Sequence, residues 1–219
     1  MFALEPSGAR QMKLSYEWLS TTLRPDALIL VDGGTDSLMR GDEAGLATPE
    51  GDAVSLLAAS RLENIPIKLL VCLGFGIDAH GGVCHAHFLE NVAALSRENG
   101  YLGAWSLTFD SEEFRLYREA CEYTFARLPH QPSIVNSSII AAVAGSFGDV
   151  HSTKRTEGSQ LFINPLMALY WSFRLKNVAR RNLYLDQIHN TDTLEEVALT
   201  IEKFRESLPV IRPWTTIPC

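Results

Sequence analysis

Residues 31–52 hold the densest chemistry in the chain: Val-Asp-Gly-Gly-Thr-Asp-Ser-Leu-Met-Arg-Gly-Asp-Glu-Ala-Gly-Leu-Ala-Thr-Pro-Glu-Gly-Asp. Asp32, Asp36, Arg40, Asp42, Glu43 and Asp52 are interspersed with glycines at 33, 34, 41, 45 and 51. A turn through Gly33-Gly34 can take positive φ and expose backbone N–H groups, which cradle an anion. The carboxylates beside it can hold a hard cation such as Mg²⁺ or accept hydrogen bonds from sugar hydroxyls. The order is not a Walker A loop, because no Gly-Lys-Ser/Thr follows, and it is not a G-x-G-x-x-G fingerprint. A tight turn whose carboxylates cap nearby N–H groups is the plain alternative. The density of charge favours a site.

The second reactive stretch is Gly74–Glu90, Gly-Phe-Gly-Ile-Asp-Ala-His-Gly-Gly-Val-Cys-His-Ala-His-Phe-Leu-Glu. Three of the chain's six histidines, His80, His85 and His87, fall within it. Cys84 sits where a helix should begin, and a helix N-terminus lowers a thiol pKa. Three readings stay open. His80, His85, Cys84 and Asp78 can form a metal site, although positions 85 and 87 do not share a helical face. Cys84 can be a nucleophile with a histidine base, although no third member is evident. Or Cys84 packs against the sheet while the histidines cap or line the loop. Three weaker groups follow. Asn136-Ser137-Ser138 offers polar groups at a helix start, which N-capping explains equally well. Asp149–Arg155 reads as a loop able to bring Lys154 and Arg155 to an anion, or as a solvated loop. Asn164-Pro165 precedes aromatic residues that suit a core.

The elements that must position these residues follow from periodicity. Met12, Tyr16, Leu19 and Leu23 mark a helix over 9–24, stopped by Pro25. Ala27–Val31 is a short buried strand. Thr48-Pro49 starts a helix running to about Asn64. Pro66–Leu73 is a second strand, Cys84–Glu98 a helix, and Tyr101–Leu107 a third strand. Asp110 and Glu113 form a capping box for a helix over 111–128, with Leu116, Ala120 and Tyr123 as its apolar stripe. Ser133–Ala144 reads as a short extended piece and then a helix, and 145–160 as a polar loop. Asn164–Asn182 reads as a helix, and Thr193–Leu208 as a terminal helix with a core-facing stripe. Three β-α units with near-continuously apolar strands predict a mostly parallel sheet covered on both faces. Ligands bind such sheets at the strand carboxyl ends, where Asp32–Glu43, Gly74–His87 and Ser106–Phe109 converge. No repeat, low-complexity tract or linker divides the chain, so 1–219 is expected to be one domain.

The 219 residues suffice for a sizeable core. A net charge of −7 argues against nucleic-acid and anionic-membrane binding, which need a basic face. No apolar run approaches a membrane span, and Met1–Arg10 lacks the pattern of a signal peptide. Cys72, Cys84, Cys121 and Cys219 form no CxxC pair, which fits reduced thiols in a cytoplasmic protein.

Five segments carry a family resemblance: residues 31–43, residues 73–91, Ser-Ile-Val-Asn-Ser-Ser-Ile at 133–139, Phe-Gly-Asp-Val-His at 147–151, and Leu-Phe-Ile-Asn-Pro-Leu-Met at 161–167. In this order, over essentially the whole chain, they resemble the bacterial and archaeal domain-of-unknown-function family 1152. The resemblance implies a Rossmann-like three-layer α/β/α fold and supplies no catalytic residues. Longer members of the family begin with a Gly-Ala-Gly-Gly-Gly-Phe-Asp-type segment after a first strand. No such segment precedes Asp32 here, so N-terminal strands of the sheet are expected to be missing. An open sheet edge invites pairing, which predicts a homo-oligomer. Ala47 replaces the second glycine of the family's Gly-Leu-Gly-Thr-Pro pattern, which predicts that φ at 47 is not positive.

The resulting expectation is an enzyme for a small anionic or sugar-containing metabolite, a nucleotide among the options, with Mg²⁺ as a candidate cofactor. Asp32, Gly33, Gly34, Thr35, Arg40, Asp42 and Glu43 would bind ligand from one side. Gly74, Gly76, Asp78, His80 and Asn136 would bind from the other, and His85, Cys84 and Asp36 would act in catalysis. A non-catalytic ligand-binding module and a Cys84-dependent hydrolase or transferase are the alternatives.

Overall fold

The computed structural model describes residues 2–128, 131–158 and 161–217, which form seven α-helices and six strands. Cys219 lies outside the described residues. Helix α1 (Ala9–Leu23) ends at Arg24, which turns left-handed ahead of Pro25. Strand β1 (Ala27–Asp32), α2 (Pro49–Arg61), β2 (Ile67–Cys72), α3 (His85–Arg97) and β3 (Tyr101–Ser106) follow in the order the periodicity predicts. Helix α4 (Glu112–Arg127) is capped by Ser111, whose hydroxyl accepts the Phe114 N–H, rather than by Asp110. Its buried residues are Phe114 and Cys121, while the expected stripe residues Leu116 and Tyr123 face solvent. Helix α5 (Ile134–Val143) starts directly at its Ser133 cap, with no extended piece before it. Inside the expected loop, β4 (Gly148–Asp149) forms and pairs with β5 (Phe162–Ile163) just beyond it.

The largest departure lies at 164–182. In place of one helix, Asn164 caps a short 3-10 turn over Pro165–Ala168, then strand β6 (Leu169–Arg174) leads into α6 (Leu175–Arg181). Tyr170, Trp171 and Phe173 have high β-propensity, and a pleated, half-buried surface suits them. The 3-10 turn sits at the carboxyl ends of the neighbouring strands. Gly74 N–H donates to Met167 C=O and Leu107 N–H to Ala168 C=O. The chain therefore re-enters the sheet from that end and runs backwards. The sheet order is β1-β2-β6-β3, with β1-β2 parallel and both β6 pairings antiparallel. The expected mostly parallel sheet is thus corrected to a mixed one, although β1, β2 and β3 share a direction.

Alternation along the strands decides where the core lies. Leu28 and Leu30 of β1, Leu70 and Cys72 of β2, and Trp171 and Phe173 of β6 pack into one apolar cluster with α1, α2, α3, α6 and the last helix α7 (Leu194–Ser207). A smaller cluster joins Ile77, Ala141, Ala142, Leu161, Ile163 and Met167. On the opposite sheet face Ile29, Val31 and Ile67 are 52%, 63% and 51% exposed. The expected covering of both faces does not form at this edge, because the main helices gather on one side. No helix among the described residues is long and apolar enough to cross a membrane.

Candidate functional site

Strands β1 and β2 are adjacent, parallel and in register, with Asp32 opposite Cys72, so the loops leaving their carboxyl ends begin side by side. Asp78, on the second loop, reaches back to the first. Its carboxylate accepts the Thr35 N–H at 2.7 Å and the Thr35 hydroxyl at 3.3 Å. A Cβ on Gly34 would lie 2.7 Å from an Asp78 oxygen, so a side chain at 34 would push the Asp78 carboxylate away from Thr35. Position 34 does not require glycine for φ: neither Gly33 nor Gly34 takes the positive φ expected of it. Positive φ falls instead on Gly74 and Gly76, and a Cβ at 76 would meet His85 Nε2 at 2.8 Å.

Four carboxylates gather where these loops meet. Asp32 ends β1, Asp36 opens a 3-10 turn over Asp36–Leu38, and Asp52 lies in the first turn of α2. One oxygen from each of these three lies within 4.8 Å of the other two. Oxygens on opposite sides of a single ion are about 4.2 Å apart for Mg²⁺ and about 5 Å for Ca²⁺, twice the metal–oxygen distance. A limit of 4.8 Å falls inside the Ca²⁺ span, and the trio would have to close by a few tenths of an ångström around Mg²⁺. Asp36 accepts the Thr48 N–H at 3.1 Å, and Asp32 accepts the Ser37 N–H at 3.3 Å. Among the described residues, no lysine or arginine is within ion-pair distance of Asp32, Asp36, Asp52 or Asp78.

The electrostatic consequence is large. Burial, with the charges of Asp32, Asp36 and Asp78 added, pushes the Asp52 carboxyl up to about 9. Burial and then Asp36 raise Asp32 to about 7. Burial and then Asp36 raise Asp78 to about 6, against the hydrogen bonds from Thr35. One hydroxyl at this site is left without a hydrogen-bond partner. The Ser37 hydroxyl is buried on a residue 8% exposed, and it lies beside Asp32 without an aligned hydrogen bond. Ser37, Asp32 and Asp52 line a cavity of about 220 Å³. On the solvent side Asp32, Gly33, Gly34, Asp36, Asp52 and Asp78 line one of about 480 Å³.

The remaining predicted residues are elsewhere. Glu43 is fully buried, accepts the Arg40 and Gly41 N–H groups and the Asn91 amide, and pairs with Arg212 at 3.1 Å. Arg212 also pairs with Asp42 at 2.9 Å and with Glu90, and Arg40 lies 3.4 Å from Asp42. The second half of the charged loop thus anchors the C-terminal segment and does not line the acidic cavity. Cys84 is fully buried and donates its thiol to the Thr215 C=O at 3.0 Å. His85 packs between the rings of Phe75 and Trp214, and burial lowers its pKa. Neither residue lines the acidic cavity. The ion-sharing group among the described residues is the carboxylate trio, not His80, His85, Cys84 and Asp78. His80 and Asn136 line a neighbouring cavity with Asp78. A larger cavity, about 1250 Å³, lies between α1 and α2, but its Arg10, Lys13 and Arg61 each pair with a carboxylate. It offers no comparable unmatched cluster.

Sequence reasoning counted Asp52 among the charges without placing it in the site. Its signal was an acid three residues after Pro49, in a first helical turn that points at the strand end. Ser37 gave no signal.

Fold and site together define a mixed α/β protein with a partly buried acidic cleft at the carboxyl ends of two parallel strands. The chain belongs to the family described as "Protein of unknown function (DUF1152)", whose profile matches residues 4–205. No curated protein and no solved structure matches it significantly.

Proposed function

We propose that this chain is an enzyme acting on a small anionic or sugar-containing metabolite, held through a divalent cation at the carboxyl ends of β1 and β2. The observation that carries this reading is the trio Asp32, Asp36 and Asp52, whose oxygens lie within 4.8 Å of one another with no lysine or arginine among the described residues paired to them. The unsatisfied Ser37 hydroxyl on the same cavity supports it. Without a cation, four clustered carboxylates repel an anionic ligand. With one, they turn the cleft into an anion-accepting surface, as Mg²⁺ sites built from few carboxylates and substrate oxygens do. Asp78 lines the same cleft without belonging to the trio, so its carboxylate stays available to a bound ligand. Thr35 orients one of its oxygens, leaving the other to face ligand.

Calorimetric titration with MgCl₂, MnCl₂ and CaCl₂ tests the cation site. The wild type is expected to bind at least one of them at millimolar concentration or tighter, and Asp36→Asn to weaken that binding tenfold or more. No binding of any of the three, or equal binding by the variant, overturns the proposal. Recovery of a tightly bound metabolite chemically unchanged after prolonged incubation would make the chain a binding module instead of an enzyme.

A further inference from the structure

A second cavity adjoins the acidic one and gives the ligand a shape. It measures about 670 Å³ and lies between α4, α5 and the turn at Ile77–Gly81. Asp78 and Val135 line both cavities, so the two lie side by side. Their sizes fall in the range of small-molecule sites, roughly 300–1,000 Å³ each. Their chemistry differs. The first is acidic, while Phe125, Leu128, Ile134 and Val135 make the walls of the second largely apolar.

Two polar groups in the second cavity have donors to spare. Asn136 Oδ1 accepts the Tyr117 hydroxyl at 2.8 Å, which fixes the amide and leaves its nitrogen without a partner among the described residues. Arg155 donates one guanidinium nitrogen to the Pro132 C=O at 2.9 Å and, among the described residues, has no carboxylate within ion-pair distance. An apolar slot with an amide N–H₂ suits a planar ring carrying an acceptor at its edge. A cation-loaded carboxylate trio suits phosphate. The Ser37 hydroxyl, buried and unsatisfied on the trio's inner cavity, is independent of the slot and marks the same end as ligand-binding.

From this juxtaposition, and resting on the cation site proposed above, we infer that the ligand is a nucleotide: its phosphate or pyrophosphate lies on the cation held by Asp32, Asp36 and Asp52, and its base lies in the α4–α5 cavity against Asn136. Arg155 stands at the outer wall, where its charge offsets the acidic end for an incoming anion.

Calorimetry in Mg²⁺ with ADP, GDP, CDP and UDP, each compared with inorganic pyrophosphate, tests this. At least one nucleoside diphosphate is expected to bind tenfold or more tighter than pyrophosphate. Ala120 is exposed on α4 and lines the cavity, so Ala120→Leu fills the slot without disturbing the core. That variant is expected to bring the nucleotide to within about threefold of pyrophosphate, with pyrophosphate and Mg²⁺ affinities unchanged. If Mg²⁺ and pyrophosphate bind but no nucleotide does better, the inference fails and the cation site stands. If Mg²⁺ does not bind, the inference fails, and if none of Mg²⁺, Mn²⁺ and Ca²⁺ binds, the cation site fails with it. An Ala120→Leu protein that keeps the full nucleotide advantage also overturns the placement of the base.

Discussion

At the scale of single residues, Asp52 carries the sharpest consequence. Its carboxyl titrates near 3.8 in an unfolded chain and about 9 in the folded one. Between those values the folded chain keeps a proton that the unfolded chain has released. Stability from this group is therefore lost as pH rises from about 4 to about 9 and is level beyond. Asp52→Asn removes the dependence. In EDTA at pH 8 the variant is expected to be more stable than wild type by on the order of 2 kcal/mol, or about 4–8 °C in Tm. At pH 4 the two should melt together. Saturating Mg²⁺ should reverse the ranking, because ligand binding to the folded state stabilises only the protein that can bind. A wild-type-minus-variant Tm difference that does not change with pH in EDTA would sink the electrostatic account.

Elements show how far local sequence reaches. Strands β1, β2 and β3 and helices α1, α2 and α3 lie where periodicity, Pro49 and the Asn99-Gly100 stop place them. Local chemistry was enough there because each element's pattern agrees with its surroundings. At 164–182 it was not, because aromatic residues suit a helix face or a pleat, and the neighbours β2 and β3 supplied the pleat. Ala47 is a sharper case. Its presence predicted an ordinary φ, yet it sits at +51°. Its N–H donates to the Gly81 C=O, and the close packing of Gly45 on Gly82 pins this turn against the second loop. The left-handed region costs a non-glycine residue about 1–2 kcal/mol. Ala47→Gly is expected to raise Tm by about 2–4 °C, and a lowered Tm would show that the alanine side chain contributes more by packing than its backbone costs.

For the whole molecule, the exposed edge matters most. β1 pairs with β2 on one side and with no strand on the other among the described residues. Its Ile29 and Val31 also face solvent. An unpaired apolar edge is a template for another strand. Self-association through β1 is the expected outcome, read by sedimentation velocity at micromolar concentration, and Val31→Lys should shift the protein towards monomer. A wild type that sediments as a monomer throughout would show that this edge is tolerated bare. The C-terminal segment acts at the same scale: Arg212 gathers Asp42, Glu43 and Glu90, all far from it in sequence, and Trp214 and Thr215 cover His85 and Cys84.

Taken by itself, the sequence determined that charge collects on the loop after β1 and that a second loop answers it from β2. Glycine spacing and apolar runs are local, and β1-α2-β2 closes with short-range rules. Only the tertiary structure decided which charges share a cavity. Asp32, Asp36, Asp52 and Asp78 converge because two parallel strands end together and α2 begins beside them. Asp42 and Glu43 diverge because Arg212, about 170 residues away, offers them a partly buried partner, and Arg40 stays with Asp42. Charge density is written in the chain, but a charge's partner is chosen by burial and distance, which depend on every element at once.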